Sequence, residues 1–112
     1  MKKLEITIKP EMLDDVKAIL ETTDVSGLSI LNVMGHGSQK GVVKKFHGAE
    51  YKVDLLPKVK VETVVEDEVA DRLIDRLVEE IDAGDVGGGK IFVLDVQDAV
   101  RMRTGEHGSS AL

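Results

Sequence analysis

A chain of 112 residues holds one core and not two, and its 3% aromatic content means that core must be built from Val, Ile and Leu. The formal net charge of -6 excludes a non-specific nucleic-acid coat, which needs a basic excess. The absence of cysteine excludes disulfides, zinc thiolate sites and thiol nucleophiles.

The opening MKKLEITI is too short and too charged for a signal peptide. No stretch approaches the ~18 apolar residues of a membrane span, so a soluble cytoplasmic protein without membrane insertion is expected. Leu4 to Ile8 alternates apolar and polar, the period of a half-buried strand. Pro10, then Glu11, Asp14 and Asp15, suits a helix N-terminus, with Met12, Leu13, Val16, Ile19 and Leu20 on one face and an end near Thr22. Leu28 to Met34 is apolar enough for a strand covered on both faces.

Residues 37–56 follow as a long excursion without a clear period, and loops of that length in a small domain are usually functional. Lys40, Lys44, Lys45 and Lys52 make it locally basic, and Tyr51 is the only tyrosine in the chain. An arm that reaches a partner is one reading; a floppy hairpin is the other. A third strand is expected from Lys58 to about Val65. A second helix opens at Glu66-Asp67-Glu68, carries Val69, Leu73, Ile74, Leu77, Val78 and Ile81 on one face, and has Gly84 where a C-cap is expected. Lys90 to Val96 is the fourth strand.

Strand, helix, strand, strand, helix, strand is the order of an α+β, ferredoxin-like βαββαβ domain spanning residues 1–112, with both helices on one face of a four-stranded antiparallel sheet. Ile91 and Val93 alternate with Phe92, Leu94 and Val96, so both faces of the last strand read as apolar. A monomer would leave the helix-free face wet, which predicts a homo-oligomer burying sheet against sheet.

The turn GDVGGGKIF, residues 84–92, has the P-loop spacing up to Lys90, but Ile91 stands where a magnesium-ligating Ser or Thr belongs and no helix follows. Successive backbone N–H groups of such a turn can form a nest for phosphate oxygens, with Lys90 at its edge; the alternative is a plain helix-to-strand turn. Arg101 and Arg103, two apart in a chain taken as extended, would project from one side and clamp phosphates. Gly35, Gly37 and Gly41 lack the dinucleotide-fingerprint spacing, and His36, His47 and His107 do not pair at metal-ligand spacing. Neither a Ser–His nor a paired-carboxylate pattern argues for hydrolysis. Acylphosphatases share the strand order, and Gln39-Lys40-Gly41-Val42 is faintly similar to their anion loop, but the phosphate-holding arginine is absent and the loop follows the second strand rather than the first.

Four segments taken together, GHGSQKG (35–41), GAEY (48–51) with LPKVK (56–60), GGGKIFV (87–93) and RMRTGEHG (101–108), resemble the PII signal-transduction proteins over essentially the full length. The resemblance implies a compact homotrimer with adenine nucleotides, ATP or ADP, in the clefts between subunits. Gly87, Gly89 and Lys90 in the 84–90 loop would cradle phosphates with Arg101 and Arg103 of the 101–108 loop. Ser29 and Val64 would lie near the base, with Gly35, Gly37, Ser38, Gln39 and Gly88 completing the nucleotide set. With Mg2+ and ATP, 2-oxoglutarate would bind, Gln39 ligating the metal and Lys58 pairing with a carboxylate. The 37–56 loop would be an effector arm for an ammonium transporter or for enzymes and regulators of nitrogen metabolism, with Tyr51 as a nucleotidylylation site.

The family commonly has Arg at the position of Ser38, an acidic residue at that of Gly88, and Thr or Ser at that of Ala83. Loss of a charge-assisted contact costs about 1.5–3 kcal/mol, one to two decades of affinity. These departures leave open a divergent paralogue preferring ADP or AMP, or an interaction module with a weakened nucleotide site.

Overall fold

The computed structural model describes residues 1–36, 42–46, 49–53, 55–81 and 88–112. Among the described residues, six strands and two α-helices run in the order β1 (Lys2–Ile8), α1 (Leu13–Glu21), β2 (Ser29–Gly35), β3 (Val42–Phe46), β4 (Ala49–Val53), β5 (Leu56–Val65), α2 (Asp67–Glu80) and β6 (Gly89–Asp95). β2, β5, β1 and β6 form one sheet in that order, every neighbour antiparallel, as the ferredoxin-like expectation requires. β3 and β4 pair as a separate hairpin. The excursion that shows no period in the sequence therefore contains two strands, and β5 begins two residues earlier than expected.

The core lies between the sheet and the helices. Leu4, Ile6 and Ile8 of β1 and Val59, Val61, Thr63 and Val65 of β5 alternate inward, meeting Val16, Ile19 and Leu20 of α1 and Val69, Ala70, Leu73 and Leu77 of α2. Full burial of one such aliphatic side chain contributes about 1.5–3 kcal/mol. Pro10 starts a short 3-10 turn, Pro10–Met12, rather than the helix itself, and α1 begins at Leu13. Thr22 and Thr23 end α1, both hydroxyls donating to the Ile19 carbonyl at 2.9 and 2.8 Å.

Asp67 and Glu68 sit in the first turn of α2, where carboxylates meet the positive end of the helix dipole. The helical face read from the sequence needs two corrections. Val78 is 71% exposed, and Ala70 takes the inward place, because the buried stripe runs 69, 70, 73, 77. The helix ends at Glu80 with Ile81 in extended conformation, its N–H bonded to the Leu77 carbonyl at 3.1 Å, so no glycine is needed at the cap; Gly84 lies outside the described residues.

The helix-free face is not uniformly apolar. Its cross-strand rows are Ser29–Glu62–Glu5–Phe92, Leu31–Lys60–Thr7–Lys90 and Val64–Lys3–Leu94. Leu31, Phe92 and Leu94 are exposed toward the rims. The centre carries an ion network in which Lys3 Nζ lies 3.2 Å from Glu5 and 3.4 Å from Glu62. Hydrogen bonding to Glu5 is the leading cause that raises the Lys3 pKa above its ordinary value.

Candidate functional site

Ser29 opens β2, and Val64 stands near the end of β5, its neighbour in the sheet. Both line a cleft of ≈380 Å³ whose other walls are Lys3, Gly27, Leu28, Glu62 and Thr63. Thr63, only 3% exposed, donates from Oγ1 to the Gly27 carbonyl at 2.7 Å and pins the segment that leads into β2. A buried hydroxyl must find an acceptor, and here the acceptor fixes one wall of the cleft. Thr63 is a positioning group that the sequence reading missed; its partner is 36 residues away and no local pattern announces it.

At the other end of β2, Gly35 meets Lys58. A Cβ on Gly35 would lie 2.9 Å from Lys58 Cγ and 3.3 Å from Cε, so the missing side chain is what lets the lysine stem cross the strand end. Both residues stand where residues 37–41 begin. Gly37, Ser38, Gln39 and Gly87, four of the expected ligand-binding positions, lie outside the described residues. Tyr51 belongs to β4, where its Cα partner is Lys44.

Gly88 is buried just before β6, and Gly89 pairs with Ile8 at the opening of the strand. A Cβ on Gly89 would make only an ordinary 3.4 Å contact with Ile8, and its φ is not left-handed, so neither space nor conformation demands glycine there. Lys90 is exposed, with Nζ 5.9 Å from the centre of the Phe92 ring, a cation–π distance that holds the ammonium on the helix-free face.

Arg101 and Arg103 do not lie in extended chain. Residues 102–104 form a turn, closed by Gly105 N–H to the Arg101 carbonyl at 2.7 Å and Arg101 N–H to the Glu106 carbonyl at 2.9 Å. Gly105 has φ +74°, which explains a glycine at this position. Arg101 is half-buried and donates to the Leu112 carbonyl at 3.0 Å, with Glu106 3.9 Å away; Arg103 is exposed. The two guanidiniums share one tight hairpin but not one strand face, so the parallel clamp expected from two-residue spacing is not its geometry. The neck of this hairpin holds a second pair without a sequence signature, Asp98 and His107, nine residues apart, with Oδ2 to Nδ1 at 2.8 Å.

β2 and β6 are opposite rims of the sheet, separated by three inter-strand steps of about 4.8 Å, or ~14 Å. One chain thus brings Ser29 together with Val64, and Gly35 with Lys58, while Gly89 and Lys90 stand on the far rim. Among the described residues no three His, Asp or Glu side chains gather as a metal site, and no helix is long and apolar enough to cross a membrane.

The architecture and these separated clusters of glycine and cationic residues define a small α+β domain of the P-II type. The family model described as nitrogen regulatory protein P-II matches residues 1–106, and the chain belongs to that family. It is similar to the nitrogen regulatory protein P-II of Haemophilus influenzae, 49% identical over 112 residues that cover 100% of both chains. It is also similar to the P-II protein of Azospirillum brasilense, at 46% with the same coverage, and to P-II 1 of Escherichia coli, at 45%, again over 100% of both chains.

Proposed function

We propose that the chain is a non-enzymatic signal-transduction regulator of nitrogen metabolism, a homotrimer that binds ATP or ADP between subunits and 2-oxoglutarate beside magnesium-ATP. The observation that carries this reading is the division of the expected ligand groups between opposite rims of one sheet. In a closed ring the β6 rim of one copy faces the β2 rim of the next, so Gly89 and Lys90 meet the Ser29–Val64 cleft of a neighbour. The cleft has an apolar wall for a base, and the cationic groups at Lys58, Lys90, Arg101 and Arg103 suit polyphosphate and carboxylate ligands.

Gln39 would help to hold magnesium, which would supply positive charge for the phosphate and carboxylate ligands. Lys58, held across Gly35, would pair with a carboxylate of the 2-oxoglutarate. The excursion that contains β3 and β4 would carry the ligand state to partners such as an ammonium transporter, and Tyr51 would be open to nucleotidylylation. Ser38 and Gly88 favour a second reading within the same class, a paralogue preferring ADP or AMP, because neither supplies the charge that the family resemblance leads one to expect at its position.

Calorimetry with ATP, ADP and magnesium, with and without 2-oxoglutarate, tests both readings. Binding to the trimer at or below about tens of micromolar is expected. Failure to bind any adenine nucleotide sinks the sensor reading, and ATP binding as tight as ADP, strengthened by 2-oxoglutarate, removes the ADP-preferring variant. If the nucleotide site has decayed, recovery of a transporter partner in a pull-down would ignore all three ligands.

A further inference from the structure

The hairpin that carries Arg101 and Arg103 is closed at its neck by one carboxylate with three partners. Asp98 Oδ2 accepts from His107 Nδ1 at 2.8 Å, while Oδ1 accepts the N–H of Ala99 at 2.9 Å and of Gly108 at 3.1 Å. Asp98 and Ala99 stand on the incoming arm, and His107 and Gly108 on the returning arm, so a single side chain ties the two together. Gly108 N–H is shared with the Ala99 carbonyl at 2.9 Å, and Val100 and His107 form a bridge directly above. The turn bearing both arginines is built on this neck.

Resting on the nucleotide-binding reading above, we propose that Asp98 is a positioning residue for Arg101 and Arg103, acting through the contacts by which its carboxylate closes the neck of their hairpin. Long arginine side chains lose rotamer freedom when they bind an anion, and a hairpin already fixed at its neck leaves less ordering to be done.

The hydrogen bond from His107 is the leading cause that holds the Asp98 carboxyl below its ordinary value. The other charged groups on the hairpin are Arg103, which is exposed, and Glu106, whose carboxylate accepts from Thr104 at 2.8 Å and lies 3.9 Å from Arg101. Among the described residues no other titratable group is bonded to Asp98 or His107. Both side chains are well exposed, at 48% and 66%, so the clasp is worth a few-fold in affinity and not a decade.

The test uses the full chain with Asp98→Ala, Asp98→Asn and Arg101→Ala, titrated with ADP. Asp98→Ala should bind about three- to five-fold more weakly. Asp98→Asn keeps an oxygen for the Ala99 and Gly108 N–H groups and should recover most of that loss. Without nucleotide, amide exchange at Gly105 and Gly108 should be faster in Asp98→Ala. Wild-type affinity in Asp98→Ala overturns the proposal, as does a loss in Asp98→Asn as large as in Asp98→Ala. Wild-type affinity in Arg101→Ala would instead remove Arg101 from the nucleotide site, and absence of ADP binding to the wild type would overturn the nucleotide reading itself, with amide exchange still deciding whether the clasp holds the hairpin.

Discussion

At position 35 there is no room for a methyl group, because Lys58 Cγ would stand 2.9 Å from it. Gly35→Ala must push the lysine stem aside, and a displaced charged contact costs about 1.5 kcal/mol or more, roughly ten-fold in affinity. We therefore expect the variant to fold and to bind 2-oxoglutarate about ten-fold more weakly in saturating magnesium-ATP. Calorimetry reads this directly; unchanged 2-oxoglutarate binding would remove Lys58 from the carboxylate site. Lys58 is visible in the sequence only as a lysine at a strand end, and it gains meaning from the glycine beside it in space. Thr63 and Asp98 were invisible for the same reason, since their partners lie across the fold or across a hairpin. Gly105 was the reverse, a turn glycine legible from RMRTGEHG as part of an ordered loop.

Periodicity located both helices and all four strands of the main sheet, with ends displaced by one to three residues where cap geometry decides. It failed on the inward face of α2. A helical stripe is wide enough to admit Val78 on the wheel, yet only its core-facing part reaches the sheet. The contrast is testable: Leu77→Gln, at 4% exposure, should lower the unfolding free energy by about 2 kcal/mol or more, whereas Val78→Gln should stay within about 0.5 kcal/mol. Denaturant unfolding monitored by circular dichroism separates them, and equal losses would contradict the burial assigned to α2. The β3–β4 hairpin escaped although Ala49 to Val53 alternates, because the facing stretch Val42-Val43-Lys44-Lys45-Phe46 does not.

Acid sensitivity also belongs to the elements. Asp95 is held below the usual carboxylate range by its hydrogen bond to Lys2, Asp98 by His107 and Glu80 by Arg76. A carboxyl whose pKa is lowered by folding stabilises the native state above its unfolded value, and the contribution disappears as pH falls through the folded one. The melting temperature should therefore change little from pH 7 to about 5 and fall below about pH 4. Asp95→Asn should fall less steeply in that range, and thermal scans at stepped pH that found parallel curves would deny Asp95 this role.

For the whole molecule, the sequence argued for oligomerisation from apolar residues on both faces of the last strand. Burial refines that argument: Phe92 and Leu94 are exposed at 54% and 42% on the helix-free face, but Lys3, Glu5 and Glu62 occupy its centre. A face with an apolar rim and a paired ionic middle suits a second copy better than water. If the proposed trimer forms through this face, Phe92→Glu, which adds a carboxylate in the row of Glu5, should give smaller species than the wild type in sedimentation velocity at micromolar chain; an unchanged assembly would mean that this rim is not the contact.

The division of ligand groups between opposite rims is meaningful only if two copies complete one site, and arginines must close it. The most direct test is calorimetric titration of magnesium-ATP into the wild type and into the Arg101→Ala, Arg103→Ala double variant, each confirmed as a trimer. The account predicts saturable binding to the wild type, strengthened by 2-oxoglutarate, and loss of at least about a hundred-fold in the double variant. Equal affinity in the two proteins, or no binding to either, would contradict it.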